Sequence, residues 1–303
     1  MNPKDFGKVA VLMGGLSAER EVSLRSGAMV LNALLEAGVD AVGIDAGRDV
    51  LNRVEEVGAD RVFIVLHGPW GEDGVVQGAL ETIGMPYTGS RVLGSALAMD
   101  KLRSKQVWTC LGLPIPEYAV VRRAEELSSV FQRLAPPLFV KPGNEGSSIG
   151  VTKVDTPDQL EEAFETAARF GGPVLAETFI AGPEVTISIV GDEALPIIKL
   201  ETPRTFYDYE AKYHSDTTLY LYPSGLDEEL ESSLKALSLE AFRALDCRGW
   251  GRVDMMLDPG MNPYLLEVNT VPGMTDHSLV PMAARAAGMS FPELAVKILE
   301  SSL

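Results

Sequence analysis

The segment that decides the fold is GRVDMMLDPGMNPYLLEVNT, residues 251–270. Turn-forming residues at 258–263 separate two apolar runs, and this pattern predicts two antiparallel strands joined by a turn. If Leu257 lies opposite Tyr264, side-chain alternation places four polar residues on one face, with Asp254 opposite Glu267 and Arg252 opposite Asn269. The other face is then apolar throughout, formed by Val253, Met255, Leu257, Tyr264, Leu266 and Val268.

The polar face of this hairpin combines three oxygen donors with a guanidinium group. Asp, Glu and Asn are hard oxygen ligands that suit Mg²⁺, which proteins hold by a few carboxylates together with nucleotide phosphates and water. His and Cys are absent from the segment. The pattern therefore predicts a magnesium site, and the alternative is a solvated hairpin face with an incidental ion pair.

A second informative segment is KPGNEGSSIG, residues 141–150, in which Lys141 closes an apolar strand and opens a turn rich in Gly and Ser. Backbone N–H groups and hydroxyls in such a turn can hold phosphate oxygens, and the lysine adds a point charge. The segment is not a P-loop, because the G-K-[ST] order and the following helix are missing. Its alternative is a surface hairpin, but beside the metal pattern it indicates a nucleotide site.

The N-terminal part of the chain has a parallel α/β pattern. Residues 8–13 read as a buried strand, and Ser17 is placed to cap a helix that runs to Gly38. The segments VDAVGID and RVFIVLHG add two strands of parallel-sheet character, so the first ~100 residues read as doubly wound. A long helix is expected from about Ser95 to Leu111, before the prolines of LPIPEY.

Two smaller units follow these prolines. The first is an α+β unit that contains KPGNEGSSIG and an acidic helix beginning near Pro157. After Gly182 and Pro183, the segments EVTISIV and ALPIIKL read as two strands across a Gly191-Asp192 turn, and a helix is expected over about 227–245. Residues 206–222 are expected to form a loop, because their aromatic and charged residues follow neither period.

The bulk composition excludes several classes of protein. The chain has 303 residues, is 46% hydrophobic and carries a formal net charge of -17, which repels nucleic acid and anionic membrane surfaces. The apolar run near the start is too short for a signal peptide, and no run of ~20 apolar residues could span a bilayer. Cys110 and Cys247 have no metal-ligand spacing. We expect a cytoplasmic protein without nucleic-acid or membrane partners, disulfides or zinc.

At this point the motifs resemble the ATP-grasp superfamily and, within it, the D-alanine:D-alanine ligases. The resemblance covers essentially the whole chain and rests on eight ordered motifs: GGLSAEREVSLRSG (14–27), HGPWGEDG (67–74), MDKLRSK (99–105), KPGNEGSSIG (141–150), ETFIAGPEVT (177–186), FYDYEAKY (206–213), GWGRVD (249–254) and EVNTVPGMTDHSLVP (267–281). It implies an ATP-grasp fold of mixed α/β and α+β class, with an N-terminal Rossmann-like domain at 1–100, a central α+β lobe at 101–182 and a C-terminal α+β lobe at 183–303.

The resemblance also implies a nucleotide and metal site. It assigns Lys101, Lys141 and Lys212 to the phosphates of ATP, and Asp254, Glu267 and Asn269 to two Mg²⁺ ions, for which Mn²⁺ can substitute. Further nucleotide contacts are implied for Ser147, Glu177, Phe179, Ile180, Glu184 and Glu267. Two positions depart from the expected pattern: Thr178 stands where a lysine is common, which puts nucleotide affinity in doubt, and Pro69-Trp70 occupy a variable pair.

For the substrates, the resemblance implies that two D-alanine molecules are joined through a D-alanyl phosphate, with release of ADP and phosphate. Glu19 is assigned to the ammonium group of the first D-alanine and His67 to the neighbourhood of its carboxylate. The oxyanion is assigned to Arg252 and an amide near Gly273, and the second carboxylate to the helix start at Ser278 and Leu279, where helix N-terminal amides suit an anion.

A network of Glu19, Ser147 and Tyr213 is implied to close the site, and Tyr213 in YDYEAKY resembles the form that uses D-alanine, rather than D-lactate, as nucleophile. The family also implies a homodimer and a role in peptidoglycan precursor synthesis. Two alternatives stay open: an ATP-grasp ligase for another amino acid or peptide, and a nucleotide-binding regulatory protein without turnover. The complete set of Lys212, Arg252, Asp254, Glu267 and Asn269 argues against the second.

Overall fold

In a computed structural model of the chain, residues 3–144, 150–201 and 218–303 are described. The first of three β-sheets is parallel, with the order β2-β1-β3. Its strands and the helices between them are β1 (Lys8–Gly14), α1 (Arg20–Glu36), β2 (Asp40–Ala46), α2 (Val50–Glu56) and β3 (Arg61–Ile64). Both faces of β1 are apolar, which is why six of its seven residues are buried.

The expected helix at 95–111 is two helices. After α3 (Val75–Thr82), α4 covers Val92–Met99 and α5 covers Lys101–Cys110. Asp100 between them has an extended backbone, and its side chain accepts a hydrogen bond from the backbone N–H of Arg103. Asp100 therefore caps a new helix. The prediction of one continuous helix was wrong, because the apolar pattern continues across Asp100 and gives no sign of the break there.

The second sheet is antiparallel, with the order β4-β7-β5-β6. It consists of β4 (Tyr118–Val121), β5 (Leu138–Pro142), β6 (Thr152–Val154) and β7 (Val174–Thr178), with α6 (Val130–Arg133) and α7 (Leu160–Ala168). Successive side chains along each strand point to opposite faces of this sheet. Val140 and Ala176 pack on one face in a core with α7, whereas Lys141 and Glu177 lie on the other.

The third sheet has six strands, in the order β11-β10-β8-β12-β13, with β9 paired to β8. The strands are β8 (Glu184–Val190), β9 (Glu193–Ala194), β10 (Ile198–Glu201), β11 (Leu219–Leu221), β12 (Trp250–Leu257) and β13 (Pro263–Asn269). The remaining helices are α8 (Glu228–Ala244), α9 (Leu279–Ala286) and α10 (Phe291–Leu299). One face packs against α4, α5 and α8, and the other joins the core of the first sheet.

Two local expectations in this region were wrong. The strand expected over ALPIIKL is interrupted between β9 and β10, where Pro196 has no N–H to donate to the ladder. Leu219–Leu221, expected in a loop, forms β11 and pairs with β10. Residues 206–217 of that expected loop lie outside the described part of the chain.

The decisive hairpin has the expected pairing at one end only. Asp254 lies opposite Glu267 and Arg252 opposite Asn269, as predicted, but a β-bulge follows and sets Met255 opposite Leu265. Leu265 is consequently buried and Leu266 is half-buried, the reverse of the expected order. The polar face of the hairpin is therefore retained, and only the turn-proximal half is shifted.

The described residues contain free thiols at Cys110 and Cys247. Within the ranges described, none of the helices combines the length and the apolar character that a membrane span requires.

Candidate functional site

The candidate site lies on one face of the third sheet, across three neighbouring strands. Thr186 of β8 lies opposite Asp254 of β12, which in turn lies opposite Glu267 of β13. Arg252 is flanked in the same way by Ser188 and Asn269. Antiparallel partners point to the same side of a sheet, so the chain delivers these polar side chains together.

Asp254 is the centre of this cluster and is buried. Its Oδ1 accepts hydrogen bonds from Thr186 Oγ1 at 2.6 Å and Arg252 Nε at 2.8 Å. Its Oδ2 accepts from Arg252 Nη2 at 2.7 Å and Asn269 Nδ2 at 3.0 Å. The two bonds from Arg252 are charge-assisted and bidentate, which fixes the plane of the guanidinium group.

The donor set fits a divalent cation of the magnesium type. Glu267 offers carboxylate oxygens, whereas Asp254 already accepts four hydrogen bonds and would exchange one of them for a cation. Asn269 uses its amide nitrogen toward Asp254, so its carbonyl oxygen is the atom that a cation would bind. Two carboxylates and an amide make an incomplete shell, which suits a Mg²⁺ ion that also keeps phosphate and water ligands. Within the described residues, three or more His, Cys, Asp or Glu side chains are nowhere grouped as metal ligands, so a cation here would depend on Asn269 beside the two carboxylates.

Lys101 joins this face to the second sheet. Its Nζ lies 2.9 Å from Glu267 Oε2, and its backbone N–H donates to the carbonyl of Gly143, just after β5, at 2.9 Å. Burial favours the neutral amine, but the charge and hydrogen bond of Glu267 outweigh it and raise the pKa of Lys101. The lysine therefore stays charged at the start of α5, between the two sheets.

Glu177, near the end of β7, binds two lysines at once. Its Oε2 lies 2.8 Å from Lys141 Nζ and its Oε1 lies 3.2 Å from Lys105 Nζ. Burial acts to raise the pKa of Glu177, but the charges of Lys105 and Lys141 outweigh it, and the pKa is lowered. For Lys105, burial dominates and lowers the pKa to about 8.

The connection from β7 to β8 carries the other predicted nucleotide residues. Phe179 packs edge-on against Phe139, with ring centroids 5.5 Å apart. Ile180 follows it, and Glu184 is the first residue of β8. Glu177 and Glu184 therefore stand at the two ends of the link between the second and third sheets.

Glu19 lies in the N-terminal unit, at the residue that precedes α1. Ser17, expected to cap this helix, instead donates to the carbonyl of His67 at 2.6 Å and accepts from the N–H of Glu19 at 3.2 Å. Gly68 has φ +72°, and a Cβ there would stand 2.7 Å from Glu19 Oε2. Only glycine allows this approach of strand end and carboxylate.

Glu72 is a second carboxylate near Glu19, with a side chain that is 15% exposed. Burial and the charge of Glu19 raise the pKa of Glu72 to about 8, although the N–H of Gly68 donates to its Oε2 at 3.0 Å. The charge of Arg252 acts in the opposite direction on the same group. The N-terminal unit and the third sheet therefore share one electrostatic environment.

His67 ties the N-terminal unit to the loop after β13. Its Nδ1 lies 2.8 Å from the carbonyl of Val271 and must carry the proton of that bond, since a carbonyl only accepts. Burial lowers the pKa of His67, so the ring is neutral. Ser26 Oγ lies 3.4 Å from Nε2 and accepts from the N–H of Met274 at 3.1 Å.

The same loop brings Gly273 against the start of α9. Ser278 is the residue before this helix, and its Oγ accepts from the N–H of Thr275 at 2.9 Å. A Cβ on Gly273 would stand 2.9 Å from Ser278 Oγ, so a larger residue here would displace this hydroxyl. Leu279 has its side chain in the core, and only its backbone can face a substrate.

Most of the predicted residues lie in the described part of the chain, on segments next to the first sheet, on the second sheet and on the third sheet. The predictions for Ser147, Lys212 and Tyr213 lie outside the described residues. Sequence reasoning did not single out Lys105, Glu72, Thr186 or Ser26. Lys105 stands one helical turn after Lys101 and Glu72 stands in HGPWGEDG, which were the available signals.

Two family models match the chain. The model described as D-ala D-ala ligase C-terminus matches residues 107–300, and the one described as D-ala D-ala ligase N-terminus matches residues 45–90. Among curated proteins, a D-alanine--D-alanine ligase of Stutzerimonas stutzeri is 58% identical over 302 residues, covering 100% of this chain and 96% of the relative. A D-alanine--D-alanine ligase B of Chromobacterium violaceum is 53% identical, covering 98% of each.

Solved structures give the same likeness. A D-alanine--D-alanine ligase from Bacillus anthracis, complexed with ATP, superposes with a TM-score of 0.86 at 36% identity, covering 97% of this chain and 96% of the other. The VanG D-Ala:D-Ser ligase from Enterococcus faecalis superposes with a TM-score of 0.85 at 30% identity, covering 98% and 99%. The expected ATP-grasp class is thereby confirmed.

Proposed function

This chain belongs to the D-alanine--D-alanine ligase family and joins two D-alanine molecules with consumption of ATP, and from this premise we propose how its residues divide the work. The observation that carries the proposal is the polar face of β8, β12 and β13. There the Arg252-Asp254-Asn269 cluster and the Lys101-Glu267 pair lie side by side. A regulatory binder has no need of this complete set.

For the nucleotide, we assign the phosphates of ATP to Lys101, Lys141, Lys212 and Ser147. The base and ribose are placed along the β7–β8 link, at Glu177, Phe179, Ile180 and Glu184. Support comes from Lys101, which contacts Glu267 of the third sheet and the carbonyl of Gly143 after β5, and from Lys141, which pairs with Glu177 of the second sheet. Glu177 and Glu184 stand at the two ends of one segment, as a ligand lying between the lobes requires.

Two Mg²⁺ ions are assigned to Asp254, Glu267 and Asn269, with Mn²⁺ as a substitute. When bound, these ions neutralise charge on the transferring phosphoryl group. Arg252 keeps Asp254 paired and oriented by two hydrogen bonds. The remaining task of the protein is to hold donor and acceptor in line, since phosphoryl transfer depends mainly on positioning.

The first D-alanine must be activated, because a carboxylate in water does not react with an amine. One of its carboxylate oxygens attacks the γ-phosphorus of ATP and ADP leaves, which gives a D-alanyl phosphate. The amine of the second D-alanine then attacks the acyl carbon, loses a proton, and phosphate leaves with the C–O bonding electrons. Arg252 and the amide of Gly273 stabilise the oxyanion of this step, where loss of one such donor typically costs ~3 kcal/mol.

The first D-alanine is assigned to the pocket of Glu19 and His67, with its ammonium group on Glu19. The second is assigned to the start of α9, where Ser278 and the backbone of Leu279 receive its carboxylate. We assign the network that closes the site to Glu19, Ser147 and Tyr213. His67, whose ring nitrogens lie against Val271 and Ser26, holds the loop of Gly273 in register with this pocket.

We place the enzyme in the cytoplasm as a homodimer that supplies peptidoglycan precursors. The division into units at 1–100, 101–182 and 183–303 belongs to the same proposal. A D-Ala:D-Ser ligase superposes as well as a D-alanine ligase does, so the backbone does not distinguish second substrates. Tyr213 is the residue on which the preference for D-alanine rests.

The test is phosphate release by the purified protein with Mg-ATP and one added acceptor at a time. With D-alanine, the protein should release phosphate rapidly and form D-alanyl-D-alanine. With L-alanine, it should neither release phosphate nor form a dipeptide. D-Serine and D-lactate, each mixed with D-alanine, test the second subsite. Preferred formation of a D-alanyl-D-serine or D-alanyl-D-lactate product at neutral pH would contradict the assignment of the second substrate, and the absence of phosphate release with D-alanine would contradict turnover itself.

A further inference from the structure

Helix α5 sends two lysines to two different sheets. Lys101 pairs with Glu267 of the third sheet, and Lys105, one turn later, pairs with Glu177 of the second sheet. Lys105 is 0% exposed and its partner carboxylate is 3% exposed. A lysine without any contact with solvent is rare unless it is paired, so its position calls for an explanation.

The two lysines on Glu177 are not equivalent. Lys141 is 12% exposed and lies on the open side of the carboxylate, whereas Lys105 lies behind it. Lys141 makes the shorter contact, 2.8 Å against 3.2 Å. Between Lys105 and Glu177, charge attraction contributes more than the hydrogen bond does.

Lys105 shares the carboxylate of Glu177 with a second lysine, Lys141. Glu177 on β7 faces it, Lys141 on β5 and Lys101 on α5 oppose its charge, and the ring of Tyr118 on β4 lies 6.0 Å from Nζ. One carboxylate thus serves two ammonium groups, with a local net charge of +1. This surplus favours an anionic ligand on the exposed side.

A turn of Lys141 toward a bound phosphate would loosen its contact with Glu177. If Glu177 had no other partner, this step would leave a buried, unpaired carboxylate, which is strongly unfavourable. Lys105 removes that penalty, because it remains beside Oε1 after Lys141 has left. The pair that stays behind is neutral, and the cation that leaves is the one nearer to solvent.

We propose that Lys105 is a positioning residue for nucleotide binding, which keeps Glu177 paired and so releases Lys141 to the phosphates of ATP. The inference rests on the proposed function, in which Lys141 binds a phosphate. Lys105 itself touches neither substrate nor reacting atoms. Its effect is exerted through the availability of Lys141 and the orientation of Glu177.

The first experiment measures the affinity of a non-hydrolysable ATP analogue with Mg²⁺ by calorimetry. Lys105→Met should weaken the affinity at least about tenfold, since Glu177 then retains Lys141 as its sole partner. The KM for D-alanine should change less than twofold. Arg103→Met is the matched control, because Arg103 is a cation on the same helix with a 59% exposed side chain, and it should leave the affinity unchanged.

A double-mutant cycle separates this role from packing. In a Glu177→Gln background no carboxylate charge can be stranded, so adding Lys105→Met should change analogue affinity less than twofold. Equal losses in both backgrounds would show that Lys105 acts only by packing and would overturn the proposal. Thermal melting checks that each variant is folded. If Lys105→Met does not fold, Lys105→Gln takes its place in all of these measurements.

Lys141→Met distinguishes the two levels of the argument. If it leaves analogue affinity unchanged, the phosphate assignment in the proposed function fails, and the release of Lys141 by Lys105 fails with it. If it weakens affinity while Lys105→Met does not, the phosphate assignment stands and the role of Lys105 is refuted. Loss of affinity in both single variants, with a non-additive cycle, supports both.

Discussion

Asp254→Asn tests whether the buried cluster stabilises the fold as well as the metal site. The carboxylate accepts four hydrogen bonds, two of them from Arg252. An asparagine can still accept from Thr186 and Arg252 Nε, and Asn269 can turn its amide to meet the new NH₂ group. What it cannot replace is the bond from Arg252 Nη2 or the negative charge.

The expected loss follows from these contacts. A hydrogen bond to a charged group is worth about 1.5–3 kcal/mol, and removing one partner of a buried ion pair costs about 3–5 kcal/mol. Arg252 is 13% exposed and so regains some contact with water. We therefore expect Asp254→Asn to lower the free energy of unfolding of the ligand-free protein by about 3 kcal/mol, at the lower end of that range.

The assay is guanidinium unfolding followed by tryptophan fluorescence, since the buried Trp250 begins the same strand. Asp192→Asn is the matched control: its side chain is 95% exposed and lies 3.1 Å from Arg243, and an exposed pair of this kind contributes little. Asp254→Asn should also abolish phosphate release at limiting Mg²⁺. An unfolding midpoint equal to that of the control would refute the structural argument, and unchanged activity at limiting Mg²⁺ would remove the metal assignment.

Two further predictions concern the carboxylates of the N-terminal unit. Glu19→Gln should raise the KM for the first D-alanine about tenfold, because a charge-assisted hydrogen bond is lost, and should leave the KM for ATP unchanged. Initial-rate kinetics measure both constants. If both KM values and the turnover are unchanged, Glu19 acts only as a residue of the helix start. The pKa of Glu72, raised from 4.5 to about 8, means that the folded state holds its proton more tightly, so this contribution to stability is complete below pH 4.5 and is lost as the pH rises through 8. In the unchanged protein the unfolding midpoint should fall between about pH 5 and about pH 9, and Glu72→Gln should make this fall smaller. Parallel curves of midpoint against pH for the unchanged protein and the variant would contradict the prediction.

Much of the decisive hairpin could be predicted, because a period of two and one turn determine which side chains share a face. Asp254 and Glu267 pair as expected. The bulge could not be predicted, since regular alternation favours Leu266 for the core while Leu265 is equally apolar and fills the same place. The break at Asp100 left a local signal, a capping residue before Lys101, that the apolar run obscured.

The contacts between distant segments were beyond the reach of the pattern. His67 and Val271 are 204 residues apart along the chain, and nothing in either segment specifies the other. Lys105 has the local sequence of an exposed helical lysine, and its burial results from the position of β7 beside α5. Family resemblance supplied roles for single residues, but it supplied no pairing such as that of Lys105 with Glu177.

The bulge in β13 also affects how the hairpin can change in length. It holds one residue more than regular pairing needs, on the turn side of Asp254 and Glu267. Loss of one residue from the tip at 258–262 can be absorbed by straightening the strand there, which exchanges Leu265 for Leu266 in the core and brings Tyr264 opposite Leu257. The metal-binding end would keep its pairing, so a deletion in this hairpin need not reach the chemistry.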